Sequence, residues 1–502
     1  MTVTRQDHET GNLRALVRGT LLPGFAGSRL PEWLAVELEE GLAGVCLFGS
    51  NVESIEALRE LTGTIRAARP RAVIAIDEEG GDVTRLHYGA GSPHPGNAVL
   101  GRLDDPAATY ASAAAIGSEL RRAGCTLNLA PSVDINSNPN NPVIGVRSFG
   151  DSVPLVAAHS AAWVQGLQST GVAACAKHFP GHGDTAQDSH LTLPTVDAEL
   201  AVLVERELKP FEAAIAAGTA AVMTSHILVP ALDPDRPATF SPSILQGLLR
   251  EQLGFTGVIM TDALDMRGAS GGIGIPAAAV RALAAGCDLL CLGSETSEAE
   301  YNAVVTAVLE AVRAGELQLS RLEEACSRSA RLFDLLPRDA QVGDDLPGQD
   351  PDLLVDAAQA AAAFRLNGTA KDWLSNSTQP FQLHQISSTA NQAVGNVPWG
   401  PASLDRNGEP ATGVSIVDPR KGLPSPPAGS RLALVGRNLH LHQQSLQLIA
   451  ELRRSGADLI VVEMGWPSAD GDPADVCTFG ASRMVSAALM GLLTQGLPQG
   501  AK

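Results

Sequence analysis

The chain has 502 residues, 44% hydrophobic and 18% charged, the balance of a globular protein long enough for two cores. Its formal charge of −19 at pH 7 excludes nucleic acid or an anionic membrane as a main partner, because both need basic patches. No run of about 18 apolar residues is present to span a bilayer. The first 25 residues also lack the apolar core of a secretory signal, which reads as a cytoplasmic protein.

From about residue 13 to about residue 294, short apolar runs alternate with longer amphipathic segments. In chain order the runs are Thr20–Phe25, Gly44–Phe48, Ala72–Ile76, Thr126–Leu129, Val172–Ala176, Ala221–Thr224, Gly257–Met260 and Asp288–Leu292. Their lack of polar alternation predicts strands buried on both faces, as in a parallel sheet. Between them Ser54–Ala68, Pro106–Ala123, Ala198–Ala217 and Pro276–Ala285 read as helices. Eight such strand–helix repeats predict an α/β fold, a (β/α)8 TIM-type barrel, with a doubly wound open sheet as the alternative. Residues 1–335 are assigned to this catalytic barrel domain, and the acidic, turn-rich residues 336–351 to a linker. Residues 352–502 are expected to form a smaller α/β domain, with strands at Arg431–Val435 and Asp458–Val462 and helices at Leu439–Ser455 and Ser482–Leu493. Residues 367–430 are rich in Asn, Ser, Gly and Pro and show no clear period, so no element is assigned there. None of the seven cysteines forms a CxxC pair and most lie in apolar, strand-like runs, so the set reads as reduced, structural thiols.

The chemistry concentrates after predicted strand ends. Asp77-Glu78-Glu79-Gly80-Gly81 follows the third strand, Asp134 the fourth, Ser225-His226 the sixth and Asp262 the seventh. The fifth is followed by Lys177-His178-Phe179-Pro180-Gly181-His182-Gly183-Asp184-Thr185 and then Asp188-Ser189-His190. Pro and Gly exclude a helix interior here, so the cluster is expected on a loop beyond the strand. In a barrel all these points converge on one face. Asp262 suits a carboxylate nucleophile, and His190 a group that donates and then accepts a proton near neutrality. Asp188, two residues before it, suits holding the other ring nitrogen. Lys177, His178 and Asp77 suit clamping the hydroxyls of a sugar.

Lys177–Thr185 with Asp188-Ser189-His190 resembles the signature of the bacterial β-N-acetylglucosaminidases of glycoside hydrolase family 3. Ile76–Gly81 with Arg85, Leu129–Asp134, Arg147–Gly150 and Met260–Met266 agree with the same family in the expected order. The resemblance spans roughly residues 13–335 and implies a retaining, exo-acting enzyme that needs no cofactor or metal. It implies Asp262 as nucleophile, His190 with Asp188 as acid/base, and Asp77, Arg85, Arg147, Lys177 and His178 as sugar-binding residues. The substrates it implies are small N-acetylglucosaminides from cell-wall fragments (muropeptides) or chitin-derived sugars. Two positions depart from the pattern: Asp82 stands where an Arg or Lys is usual, and Ala263 where a second Asp is usual. Other readings stay open from the residues alone. They are a β-glucosidase or an N-acetylglucosaminide phosphorylase on the same fold, a non-catalytic sugar sensor, and a metal-dependent hydrolase using His178, His182 and His190. Glu78, Glu79 and Asp265 rival Asp262 as nucleophile. Asp134 and His182 also read as loop-stabilising groups, and Ser225-His226 as wall residues.

Overall fold

Eight short strands form where the apolar runs predict them in a computed structural model of the protein. It describes residues 5–187 (side chains from residue 11), 192–336, 354–376, 379–388, 393–404, 413–469 and 473–497. The strands are β1 (Leu21–Leu22), β2 (Gly44–Leu47), β3 (Val73–Ile76), β4 (Leu127–Asn128), β5 (Ala173–Phe179), β6 (Ala221–Thr224), β7 (Val258–Thr261) and β8 (Leu290–Cys291). From β2 to β7 each pairs in parallel with the next, and β8 pairs in parallel with β1. The ring closes at two seams. Thr261 N–H donates to the carbonyl of Leu289 at 3.0 Å between β7 and β8, and Cys46 N–H to that of Pro23 at 3.1 Å between β2 and β1. A (β/α)8 barrel is the result. Every residue of these strands is buried, which is why their sequences run apolar without alternation. Small and branched residues fill the interior, among them Cys46, Ala75, Leu127, Ala173, Cys175, Ala221, Met223, Val258 and Met260.

Two local features differ from the sequence expectation. Lys177 and His178 are not on a loop: β5 runs through Phe179, with an irregular register against β6 between Ala176 and Phe179. Pairing holds the backbone extended there, since Val133 N–H donates to Lys177 O at 2.8 Å and Ser225 N–H to Phe179 O at 2.9 Å. The helix expected over Ala198–Ala217 starts at Leu200 and carries a wide, π-helical turn at Leu203–Glu207.

The chain divides into two compact units. The first comprises Met1–Glu78, Thr109–Ile135 and Ser152–Asp350 and contains the barrel strands. The second comprises Glu79–Ala108, Asn136–Asp151 and Pro351–Lys502. It is built on β9 (Arg365–Leu366), β10 (Gln382–Ile386), β11 (Val414–Val417), β12 (Arg431–Gly436), β13 (Asp458–Glu463) and β14 (Val476–Cys477). Their order is β11-β10-β12-β13-β14-β9, parallel except for the β14–β9 pair. The helix Gln443–Arg454 packs Leu448, Ile449 and Leu452 into the same apolar cluster as Leu432, Leu434 and Val461 of this sheet. The strands at 382–386 and 414–417 fall in the stretch where the sequence showed no period. No helix among the described residues is long and apolar enough to cross a membrane. All seven cysteines are free thiols.

Candidate active site

In the first unit, polar residues gather at the carboxyl ends of β3 to β7. Asp77 follows β3 directly, and its Oδ1 accepts from Lys177 Nζ of β5 at 2.6 Å. Lys177 is almost wholly enclosed, whereas the Asp77 side chain keeps 20% of its surface open. Asp262 follows β7 directly and accepts from the N–H of Ala263 at 2.8 Å through Oδ1. The buried Cys175 thiol of β5 lies in the field of these charges. Burial pushes it up, Lys177 pulls against this, and the charges of Asp77 and Asp262 push it further. All three charged groups stand at the carboxyl ends of barrel strands, β3, β5 and β7.

Asp134, beyond β4, organises the backbone of the neighbouring strand end. Its Oδ2 accepts from His178 Nδ1 at 2.7 Å and from Ser132 Oγ at 3.0 Å, and its Oδ1 from the N–H of His182 at 2.7 Å. The N–H of His178 adds a longer contact of 3.2 Å. Burial alone would push this carboxyl up. The charge and hydrogen bond of His178, with the contribution of His182, outweigh it and hold Asp134 at about 2. Because a carboxylate only accepts, the Nδ1 proton of His178 is committed to Asp134 and its ring is fixed in orientation. His182 Nδ1 lies 2.7 Å from Thr185 Oγ1. Gly183 is required by close approach: a Cβ there would overlap the carbonyl oxygen of Ile135.

Behind this segment sits Glu207, in the helical stretch after β5 and not among the residues singled out from the sequence. Its Oε1 accepts from Arg206 Nε at 2.6 Å, and Arg206 also donates to Asp184 Oδ2 at 2.5 Å. A Cβ on Gly181, whose φ is +125°, would come within 2.8 Å of Glu207 Oε2. No local sequence signal marks the residue; only Arg206 beside it hints at a pair.

Arg85, Arg147 and Glu79 belong to the second unit. Arg147 forms a two-pronged ion pair with Glu79, Nε to Oε2 at 3.0 Å and Nη2 to Oε1 at 2.7 Å. Arg85 donates to the carbonyls of Ala393 at 2.6 Å and Val394 at 3.1 Å. Asp82, the unusual acid after the double glycine, accepts from the N–H of Ala481 at 2.7 Å and lies 3.6 Å from Arg437 Nη1. The rival carboxylates have partners of their own. Glu79 takes Arg147, and Asp265 Oδ2 accepts from the N–H of Ser294 at 3.3 Å. Asp188 and His190 lie outside the described residues.

A barrel that assembles a Lys–Asp pair, a carboxylate-held histidine and a further carboxylate at its strand ends is a barrel enzyme for a polar substrate. Comparison with known proteins makes the class specific. The glycosyl hydrolase family 3 N terminal domain matches residues 29–332. A β-hexosaminidase of Stenotrophomonas maltophilia (strain K279a) is 36% identical over 341 residues, covering 64% of this chain and 96% of that protein. A β-hexosaminidase A of Pseudoalteromonas piscicida is 36% identical over 323 residues, and the match spans 54% of its length. The fold is similar to a glycoside hydrolase family 3 β-N-acetylglucosaminidase from Paenibacillus sp. str. FPU-7, with a TM-score of 0.80, 30% identity and 97% of both chains covered. The chain belongs to glycoside hydrolase family 3.

Proposed function

We propose that the protein is an exo-acting, retaining β-N-acetylglucosaminidase that removes terminal β-linked N-acetylglucosamine from cell-wall fragments or chitin-derived sugars. The observation that carries the reading is the placement of the Asp77–Lys177 pair and Asp262 at the carboxyl ends of the barrel strands β3, β5 and β7. In sequence, Asp188-Ser189-His190 follows a few residues past Thr185. The β-hexosaminidase relatives support the same chemistry.

In this mechanism Asp262 attacks the anomeric carbon and the glycosidic C–O bond breaks, forming a glycosyl-aspartate ester. His190, oriented by Asp188, gives its proton to the departing oxygen. The same imidazole then takes a proton from water, whose oxygen displaces Asp262 and restores the original stereochemistry. Lys177 and Asp77 bind sugar hydroxyls, with His178, Arg85 and Arg147 as further contacts. Asp134 serves by fixing the ring of His178.

The test is initial rates on 4-nitrophenyl β-N-acetylglucosaminide and the matching β-glucoside in phosphate-free buffer. Preference for the acetamido sugar is expected, and preference for the glucoside rejects the reading. Asp262→Ala is expected to lower kcat by about 10³-fold or more, so near-normal turnover would remove the nucleophile assignment. His190→Ala is expected to harm poor leaving groups more than nitrophenolate, which needs little protonation. Equal losses on both would remove the acid/base assignment.

A further inference from the structure

His226 is buried, with 1% of its surface exposed, and takes no part in the reaction above. It follows β6, which pairs with β7 in unbroken register up to Thr224 opposite Thr261. Beyond that point His226 continues the link between the two strands with its side chain. Nε2 lies 3.1 Å from the carbonyl oxygen of Ala263, and Nδ1 lies 2.8 Å from Thr239 Oγ1. A carbonyl only accepts, so Nε2 carries a proton and donates it. The ring is pinned at its other end as well. Thr239 Oγ1 donates its one proton to Nδ1, lies 2.8 Å from Thr224 Oγ1, from which it accepts, and lies 3.0 Å from the carbonyl oxygen of Ser225.

Ala263 is the residue that ties this ring to Asp262. Its carbonyl is gripped by His226, and its N–H donates to Asp262 Oδ1 at 2.8 Å. The same 263–264 peptide unit is held on its other side by Leu264 N–H, which donates to Cys291 O at 2.9 Å, so His226 and Cys291 fix it together. His226 thus restrains a residue whose N–H holds the Asp262 carboxylate. With an alanine here, no side chain beyond Cβ at position 263 can help hold that peptide.

We propose that His226 is a positioning residue for Asp262: by donating to the Ala263 carbonyl it fixes the residue whose N–H holds the carboxylate in line for attack. This rests on Asp262 being the nucleophile. A carboxylate displaced by a fraction of an ångström still lets sugar bind but reacts more slowly, so the effect belongs in kcat rather than KM.

The experiment compares His226→Phe, which keeps ring volume without a donor, with His226→Gln, whose amide nitrogen reaches about as far as Nε2. Rates are measured on 4-nitrophenyl β-N-acetylglucosaminide, with thermal melts to confirm folding. The Phe variant is expected to lose about tenfold or more in kcat at nearly unchanged KM, while the Gln variant recovers most of it. A role in packing alone predicts the reverse order. Phe equal to wild type, Phe and Gln equally impaired, or a loss confined to KM would each overturn the proposal. Should the Phe variant not fold, Thr239→Val removes the support at Nδ1. A several-fold fall in kcat is then expected, and none would overturn the proposal. A wild type inactive on N-acetylglucosaminides would reject the function and this role with it. An active wild type matched by the Phe variant would reject the role of His226 only.

Discussion

Glu207→Gln should change how the stability of this protein depends on pH. The Glu207 carboxyl is buried with 1% of its surface exposed, and its Oε2 has no hydrogen-bond partner among the described residues. Burial pushes it up, Arg206 pulls it down, and the nearby charges of Asp134 and Asp184 push it up again, from 4.5 to about 7. The unfolded chain returns it to about 4.5, so between these values the folded state binds more protons than the unfolded one. Stability from this group is therefore fully present below about pH 4.5 and is lost as pH rises to about 7. At ~1.36 kcal/mol per pH unit the loss amounts to about 3 kcal/mol, a large share of the stability of an ordinary domain. Glutamine imitates the protonated acid at every pH. Urea unfolding of both proteins at intervals from about pH 4.5 to about pH 8 reads the difference directly. The stability of the variant relative to wild type should climb by about 3 kcal/mol across that range and then level off. Two curves that stay parallel within about 0.5 kcal/mol would refute the reasoning.

Asp134 should show the opposite sign. Held at about 2 against an ordinary 3.8, it adds stability that is present above about pH 4 and lost as pH falls to about 2. Asp134→Asn is expected to cost about 2–4 kcal/mol at pH 7, since it removes the charge and leaves a donor against His178. An unchanged Tm would reject the anchoring role, and kcat/KM should fall with the stability. Gly183→Ala forces a methyl onto the Ile135 carbonyl oxygen. It should cost about 1–3 kcal/mol and lower kcat/KM by about tenfold or more, because the segment leading to Asp188 must move. Wild-type rates in a folded Ala variant would show that the close approach does not matter.

The eight barrel strands were legible because parallel strands covered on both faces favour apolar side chains along most of their length, as in the short run Ala221–Thr224. Pro106 and Ala123 likewise bounded a helix that forms over those same residues. The strands Gln382–Ile386 and Val414–Val417 were not legible, since both carry exposed positions and polar residues that blur their period. The segment from Lys177 to Thr185 announced a site through its own composition, and the positions of Asp77 and Asp262 after apolar runs placed them at strand ends. Sequence alone determined that much because strand burial and Pro–Gly punctuation are local effects. What holds these groups was decided only in three dimensions. Asp134 meets its partners His178 and His182 across 44 and 48 residues of chain, and His226 meets Ala263 across 37. Glu207 is an ordinary helix acid in sequence and becomes a buried, proton-hungry carboxyl only when the fold encloses it near Asp134 and Asp184. Hydrogen bonds and desolvation depend on which distant atoms arrive at one place, and no local pattern of residues encodes that.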